Sequence, residues 1–270
     1  MSSVTLTDIY GYMTYLSRER VLHQNSDASG YGLNAASRAR KIATIRSFYK
    51  YLTNKVHLIK ENPVKDLDSP KLKKTLPKYL TLEESVQLLS SVDGQNRERD
   101  YCILTLFLNC GLRISELCAL NTTDIQDDAL RVLGKGNKVR IVYLNDACKE
   151  ALNGYLAVRR PIVGRDQNAL FLSSRNERVS RSTVHALVKK HLGEAGLDST
   201  QYSAHKLRHT AATLMLQNGV DVKAVQEVLG HEHLNTTEIY THIDNEALRV
   251  AAKANPLSRV KPPKKNEAGK

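Results

Sequence analysis

The sequence predicts a mainly helical protein with one small β-hairpin, divided into a shorter N-terminal and a longer C-terminal domain. Three observations carry this. Apolar residues recur at helical spacing in successive segments along the chain. Strand-like runs are confined to Leu130–Leu133 and Val139–Leu144, joined by Gly-Lys-Gly-Asn-Lys, a turn with two glycines. A stretch rich in proline and lysine, from Glu61 to Tyr79, separates the two helical parts.

Composition narrows the class. A chain of 270 residues with 41% hydrophobic content can bury ordinary cores in one or two domains. Lys and Arg total 40 against 28 Asp and Glu, a formal charge of +12, which calls for a polyanionic partner, DNA or RNA first. No stretch approaches the roughly 20 apolar residues of a membrane span, and the polar start MSSVTLTD lacks a signal peptide's apolar core. The expectation is a cytoplasmic protein with no membrane partner. Cys102, Cys110, Cys118 and Cys148 form no Cys-x-x-Cys pair and read as reduced core thiols.

In chain order, Thr7 is placed to cap a first helix carrying Ile9, Met13 and Leu16, and a polar run from Gln24 to Asn34 interrupts it. A second helix follows, with the apolar stripe Ile42, Ile45, Phe48/Tyr49 and Leu52. From Ala28 to Lys60 there is no Asp or Glu but seven Lys or Arg, so Arg38, Arg40 and Lys41 are candidates for phosphate contact, against the plainer reading of a solvated basic face. The expected division is an N-terminal helical domain over residues 1–70, a basic linker over 71–79, a catalytic domain over 80–255 and a basic disordered tail over 256–270. Thr81-Leu-Glu-Glu84 is a capping box that opens the second domain.

The segment Glu98–Asn109 is nearly all apolar and predicts a helix buried on most sides, ended by Gly111. Arg113 stands at the entrance of the next helix, Ser115–Leu120, where the plain alternative is a salt bridge to Glu116. In the hairpin turn, Lys135 is simply an exposed lysine unless context gives it a role, and Lys138 and Arg140 beside it are expected to touch phosphates. The nucleotide-binding pattern Gly-x-x-x-x-Gly-Lys-Ser/Thr is absent, which argues against ATP. Helical segments are expected around Ala147–Arg159 and Ser182–Leu192.

The stretch from Tyr202 to Ile243 concentrates the chemistry. Ser203 is placed to cap a helix carrying Leu207, Ala211, Leu214 and Met215 that stops before Gly219; Asp221 caps a second, expected to bury Val222, Val225, Val228 and Leu229, that stops at Gly230. A third begins at Asn235 or Thr236. His205 and Arg208 are three apart and project from one helix face. His231 follows a helix end, and Tyr240 lies nine residues later. A planar two-pronged guanidinium suits a phosphate. A free phenol, with a pKa of about 10, is a poor nucleophile unless nearby cations favour its anion. A zinc site on His205 and His209 is disfavoured, because Lys206 and Arg208 stand where a carboxylate is wanted.

HKLRH, then LGH, then TTEIYTH resembles the active-site block of the tyrosine recombinase (phage integrase) family, most closely its XerC/XerD-like members. The pattern is His-x-x-Arg, a later Leu-Gly-His, and a Tyr nine residues beyond. Arg113 in CGLRISEL is similar to the family's first-Arg motif, and Lys135 in LGKGNKVR resembles its hairpin-lysine motif. The resemblance covers about residues 35 to 255.

It implies an N-terminal helical, SAM-like DNA-binding domain and an α+β catalytic domain with Arg113, Lys135, His205, Arg208, His231 and Tyr240 as catalytic residues, Tyr240 being the nucleophile. It further implies no cofactor, no metal and no small-molecule substrate. The partners would be double-stranded DNA with an inverted-repeat core site, and a homo-tetramer on DNA or a hetero-tetramer with a second recombinase. The activity would be strand exchange through a 3′-phosphotyrosyl ester and a Holliday junction, in chromosome or plasmid dimer resolution or in mobile-element integration and excision. Two other classes share parts of this pattern: a type IB topoisomerase relaxing DNA as a monomer, and a catalytically silent DNA-binding regulator. The N-terminal part reads about one helix shorter than the family pattern.

Overall fold

The computed structural model describes residues 4–20, 31–71, 78–134, 138–160, 166–230 and 245–263. The chain divides into two compact units, Met1–Leu76 and Pro77–Lys270.

The first unit is built on α1 (Leu6–Arg18) and α2 (Ala35–Asn54). The cap of α1 is Thr5 rather than Thr7. Thr5 has Asp8 three residues on, and the two side chains satisfy each other's backbone N–H groups in a capping box, which Thr7 has no partner to form. Asn34 caps α2 through the N–H of Ser37 at 2.8 Å. The core joins Ile9, Ile42, Tyr49 and Leu52 with Val64 and Leu67. Phe48, one of the expected stripe residues, is exposed, and Tyr49 takes the buried place. The start of the proline- and lysine-rich stretch also folds back: Val64 and Leu67 are buried, and Arg46 donates to the Leu67 carbonyl and, at 3.1 Å, to Ser69 Oγ.

In the second unit the chain enters by α3 (Leu82–Ser90), capped by the Thr81–Glu84 box, and continues into α4 (Arg97–Cys110). Every residue of α4 from Asp100 to Cys110 is buried, so this helix is the axis of the core; α3, α6 (Asp146–Val158) and α8 (Ala204–Gln217) pack against it. After α5 (Ile114–Ala119) comes an antiparallel sheet in the order β1 (Ile125–Gln126), β2 (Ala129–Leu133), β3 (Val139–Tyr143). Ala129 pairs with Tyr143 and Leu133 with Val139. The register turns Leu130, Val132 and Val142 inward. The remaining helices are α7 (Arg181–Glu194), capped by Ser180, then α9 (Val222–Leu229) and α10 (Asn245–Lys253).

The four cysteines are free and buried, with Cys110 Sγ 3.6 Å from Cys148 Sγ, and burial holds the thiols of Cys102 and Cys148 well above their ordinary pKa.

The end of the described chain is packed rather than loose. Helix α10 packs on α9 within the same chain, through Leu248 and Ala251 against Val225, Val228 and Leu229, leaving Val250 exposed. The segment after it, expected as a disordered tail, packs into the core of the second unit at least as far as Val260. Leu257 is completely buried in the cluster that holds Leu108. Asn255, 1% exposed, donates from Nδ2 to the Leu108 carbonyl at 3.0 Å and accepts from the Leu257 N–H at 2.9 Å. Two well-placed anchors outweigh the polarity of their neighbours, since a buried amide with its hydrogen bonds made carries little desolvation cost.

Candidate active site

The site grows from two helix ends. Helix α4 stops at Gly111, whose φ of +58° is the left-handed conformation that favours glycine. A Cβ there would run into the Leu229 side chain, so the position also lets α9 approach closely. Helix α9, capped by Asp221 through the N–H groups of Lys223 at 2.8 Å and Ala224 at 3.4 Å, stops at Gly230 with φ +63°. Val222, expected in the core, is exposed in the first turn. Both helices therefore present last-turn or just-past-end carbonyls with no partner of their own.

Arginines fill those vacancies. Arg208, one turn into α8 and 5% exposed, donates to the Gly111 carbonyl and, at 2.6 Å, to the Leu229 carbonyl. Arg113, directly before α5, donates from Nη2 to the Gly230 carbonyl at 3.0 Å. The expected Arg113–Glu116 salt bridge is also made: Glu116 accepts the Arg113 backbone N–H at 2.7 Å and its Nη1 at 2.7 Å. A third guanidinium converges here. Arg140, from β3, places Nη1 and Nη2 on the two oxygens of Glu116 at 2.7 and 2.9 Å, a bidentate pair.

Three guanidinium groups thus stand around one carboxylate. Burial works to raise the pKa of Glu116, but the hydrogen bonds and charges of Arg140 and Arg113 win and bring it down to about 2. Arg208 is lowered to about 10, first by burial, then by Arg113 and Arg140, opposed by Glu116. It remains protonated at neutral pH, and like-charge crowding that one carboxylate leaves uncancelled makes the cluster a seat for an anion.

His205 is exposed in the first turn of α8, on the face that carries Arg208 a turn later. Ser203 occupies the N-cap but its side chain accepts no capping hydrogen bond, unlike the expectation; its extended backbone carbonyl serves the helix instead, accepting the Leu207 N–H at 2.9 Å. His209 is half-buried, edge-on to Tyr79 with ring centroids 6.2 Å apart; burial, Lys206 and His205 lower its pKa, keeping it neutral near pH 7. Lys138 is exposed beside the hairpin turn. Arg38 is half-buried, and Arg40 and Lys41 are exposed, all on α2 of the first unit. Lys135, His231 and Tyr240, with the helix expected from Asn235 or Thr236, lie outside the described residues. Among the described residues no group of three or more His, Cys, Asp or Glu could hold a metal ion.

Comparison with known proteins bears on this geometry. Residues 78–247 match the model of the phage integrase family. The chain is 52% identical over 260 residues to the tyrosine recombinase XerC of Caldanaerobacter subterraneus subsp. tengcongensis, covering 96% of this chain and 70% of that protein. It is 40% identical over 225 residues to the tyrosine recombinase XerD of Proteus mirabilis, covering 81% and 72% of the two chains. The crystal structure of XerA recombinase superposes with a TM-score of 0.54 at 30% identity, over 92% of this chain and 82% of that one.

A mainly helical domain with a small antiparallel sheet is the catalytic fold of the tyrosine recombinases. The chain belongs to the phage integrase family, as a XerC/XerD-like tyrosine recombinase.

Proposed function

We propose that this site-specific DNA recombinase uses Tyr240 as its nucleophile and the Arg113–Arg208 cluster as the seat of the scissile phosphate. The observation that carries this is the cluster itself: two helix-end arginines fixed by backbone carbonyls, with more positive charge than Glu116 cancels. A phosphodiester passing through a phosphorane gains negative charge on its non-bridging oxygens, and donors already held in place stabilise that charge without reorganising.

In this scheme the Tyr240 phenolic oxygen attacks phosphorus in line. Its proton leaves with the help of His205 and His231, which also hydrogen-bond the phosphate. The bond from phosphorus to the 5′ oxygen breaks, and Lys135 protonates that oxygen to a free 5′-hydroxyl. The ester energy is kept in a 3′-phosphotyrosyl bond, so a 5′-hydroxyl from a partner duplex reverses the step and exchanges strands. No step consumes a nucleotide or calls for a metal.

Residues 1–70 are assigned to recognition of the DNA core and residues 80–255 to catalysis, with the basic 71–79 segment between them. Arg38, Arg40, Lys41 and Lys138 are assigned to backbone phosphates, supported by the +12 charge. The substrate is duplex DNA with an inverted-repeat core, bound by four recombinase subunits, all of this chain or shared with a second recombinase, in the cytoplasm.

Covalent capture tests the scheme. Purified protein is mixed with fragmented host DNA, denatured in SDS, and the protein-linked fragments are recovered and sequenced at their 3′ junctions beside a Tyr240→Phe control. Adducts that vanish in the control and cluster at a short inverted repeat are expected. Scattered Tyr240-dependent adducts would instead indicate topoisomerase-like relaxation, and none at all would end the catalytic assignment.

A further inference from the structure

Glu116 is the only carboxylate that the described residues place against the arginine cluster, and two guanidinium groups compete for it. A buried carboxylate draws in whatever cation is nearest. Were Arg113 its sole partner, the two would form a neutral pair, and Arg113 would offer little to an incoming anion. Arg140 changes that balance by occupying both carboxylate oxygens from another element, at 2.7 and 2.9 Å.

We propose that Arg140 is a positioning residue for strand cleavage: by neutralising Glu116 from the hairpin strand, it leaves the charge of Arg113 free for the scissile phosphate. The inference rests on the assignment of Arg113 to that phosphate.

The placement of Arg140 fits this role and not the phosphate contact expected from sequence. Its side chain is 16% exposed and both terminal nitrogens are taken. Its stem lies on Gly230, where an added Cβ would come within 2.9 Å of Arg140 Cδ, and the carbonyl of the same glycine accepts from Arg113 at 3.0 Å. Paired with Val132 across the sheet, Arg140 also ties β3 to the start of α5 and the end of α9. Lysine would keep the charge but lose the second prong of the contact.

The test uses the full chain and a suicide duplex carrying the inverted repeat recovered by covalent capture. Single-turnover adduct formation, DNA affinity with its salt dependence, and thermal melts are measured for wild type, Arg140→Gln, Arg140→Lys, Glu116→Gln and the double variant Arg140→Gln/Glu116→Gln. Arg140→Gln should slow cleavage about 10²-fold, the scale of one lost oxyanion donor, with affinity and salt slope unchanged. The double variant should cleave at least about tenfold faster than Arg140→Gln alone, because glutamine still accepts the Arg113 N–H but no longer holds its charge.

Arg140→Lys should fall between wild type and Arg140→Gln. Should Arg140→Gln fail to fold, the same recovery is required when Glu116→Gln is added to Arg140→Lys. A double variant no faster than the single would reduce Arg140 to a structural tie. A salt slope smaller by about one would make it a phosphate contact. Either result overturns the proposal while leaving the recombinase scheme standing; wild type without Tyr240-dependent adducts would take both down.

Discussion

Arg113 and Gly230, 117 positions apart in sequence, are joined by a 3.0 Å hydrogen bond from the guanidinium Nη2 to the glycine carbonyl. The bond ties the entrance of α5 to the end of α9. Because Gly230 stands in the left-handed region at φ +63°, its carbonyl direction depends on a conformation that other residues seldom adopt. The geometry of the arginine cluster is therefore set by backbone turns as much as by side chains.

Gly111→Ala tests that dependence. The substitution strains the left-handed backbone and drives a methyl group into the Leu229 side chain. A loss of about 1–3 kcal/mol in urea unfolding is expected from the backbone conformation alone, with cleavage falling further than folding because α9 is pushed from Arg208. Cleavage that tracks stability without excess loss would show that the two helix ends are not coupled.

Arg208→Lys should be nearly as inactive as Arg208→Ala. Lysine restores the charge but cannot bridge the Gly111 and Leu229 carbonyls as the planar group does. Single-turnover cleavage of either variant should fall by about 10²–10³-fold, with DNA affinity much less affected. A Lys variant close to wild type would mean that only charge matters here.

Glu116 makes stability fall with acid. Its folded pKa, about 2, lies below the ordinary value of 4.5, so its contribution is fully present above pH 4.5 and is lost as pH falls from 4.5 toward about 2. Urea melts across that window should show the gap between wild type and Glu116→Gln narrowing as pH drops. A gap independent of pH would mean that the carboxylate is not held ionised by the two arginines.

Leu257→Ala should cost about 2–5 kcal/mol, the range for a fully buried leucine, and Asn255→Ala about 1–3 kcal/mol for the lost amide partners. Both are read from denaturant unfolding of the full chain. Changes within about 0.5 kcal/mol, as at exposed positions, would show this segment to be dispensable.

Much of this architecture is legible in local sequence. The apolar run into Gly111, the two β-rich runs Leu130–Leu133 and Val139–Leu144, the Thr81 box and the Asp221 cap each encode an element within a few residues, and each forms. Arg113-x-x-Glu116 carries its own signal at helical spacing. The grip of Arg140 on Glu116 does not, because no periodicity joins a strand to a helix start 24 positions away. Arg208 is legible only in part: a buried guanidinium suggests an anion, but the main-chain carbonyls that hold it in place are groups every residue possesses and no sequence marks. At Thr5 and Thr7 two capping residues compete, and Asp8 decides. Composition hid the packed segment after α10, since two anchors disappear into an average over polar neighbours.

The bond from Asn255 to Leu108 spans 147 positions. During synthesis, Leu108 leaves the ribosome long before Asn255 and Leu257 exist to close the core around it. Contacts of such separation form late, after much chain entropy has been surrendered. A nascent chain therefore carries Arg113 and Arg140 before the core beneath them is sealed, and it should reach full cleavage activity only after Asn255 and Leu257 have emerged and packed.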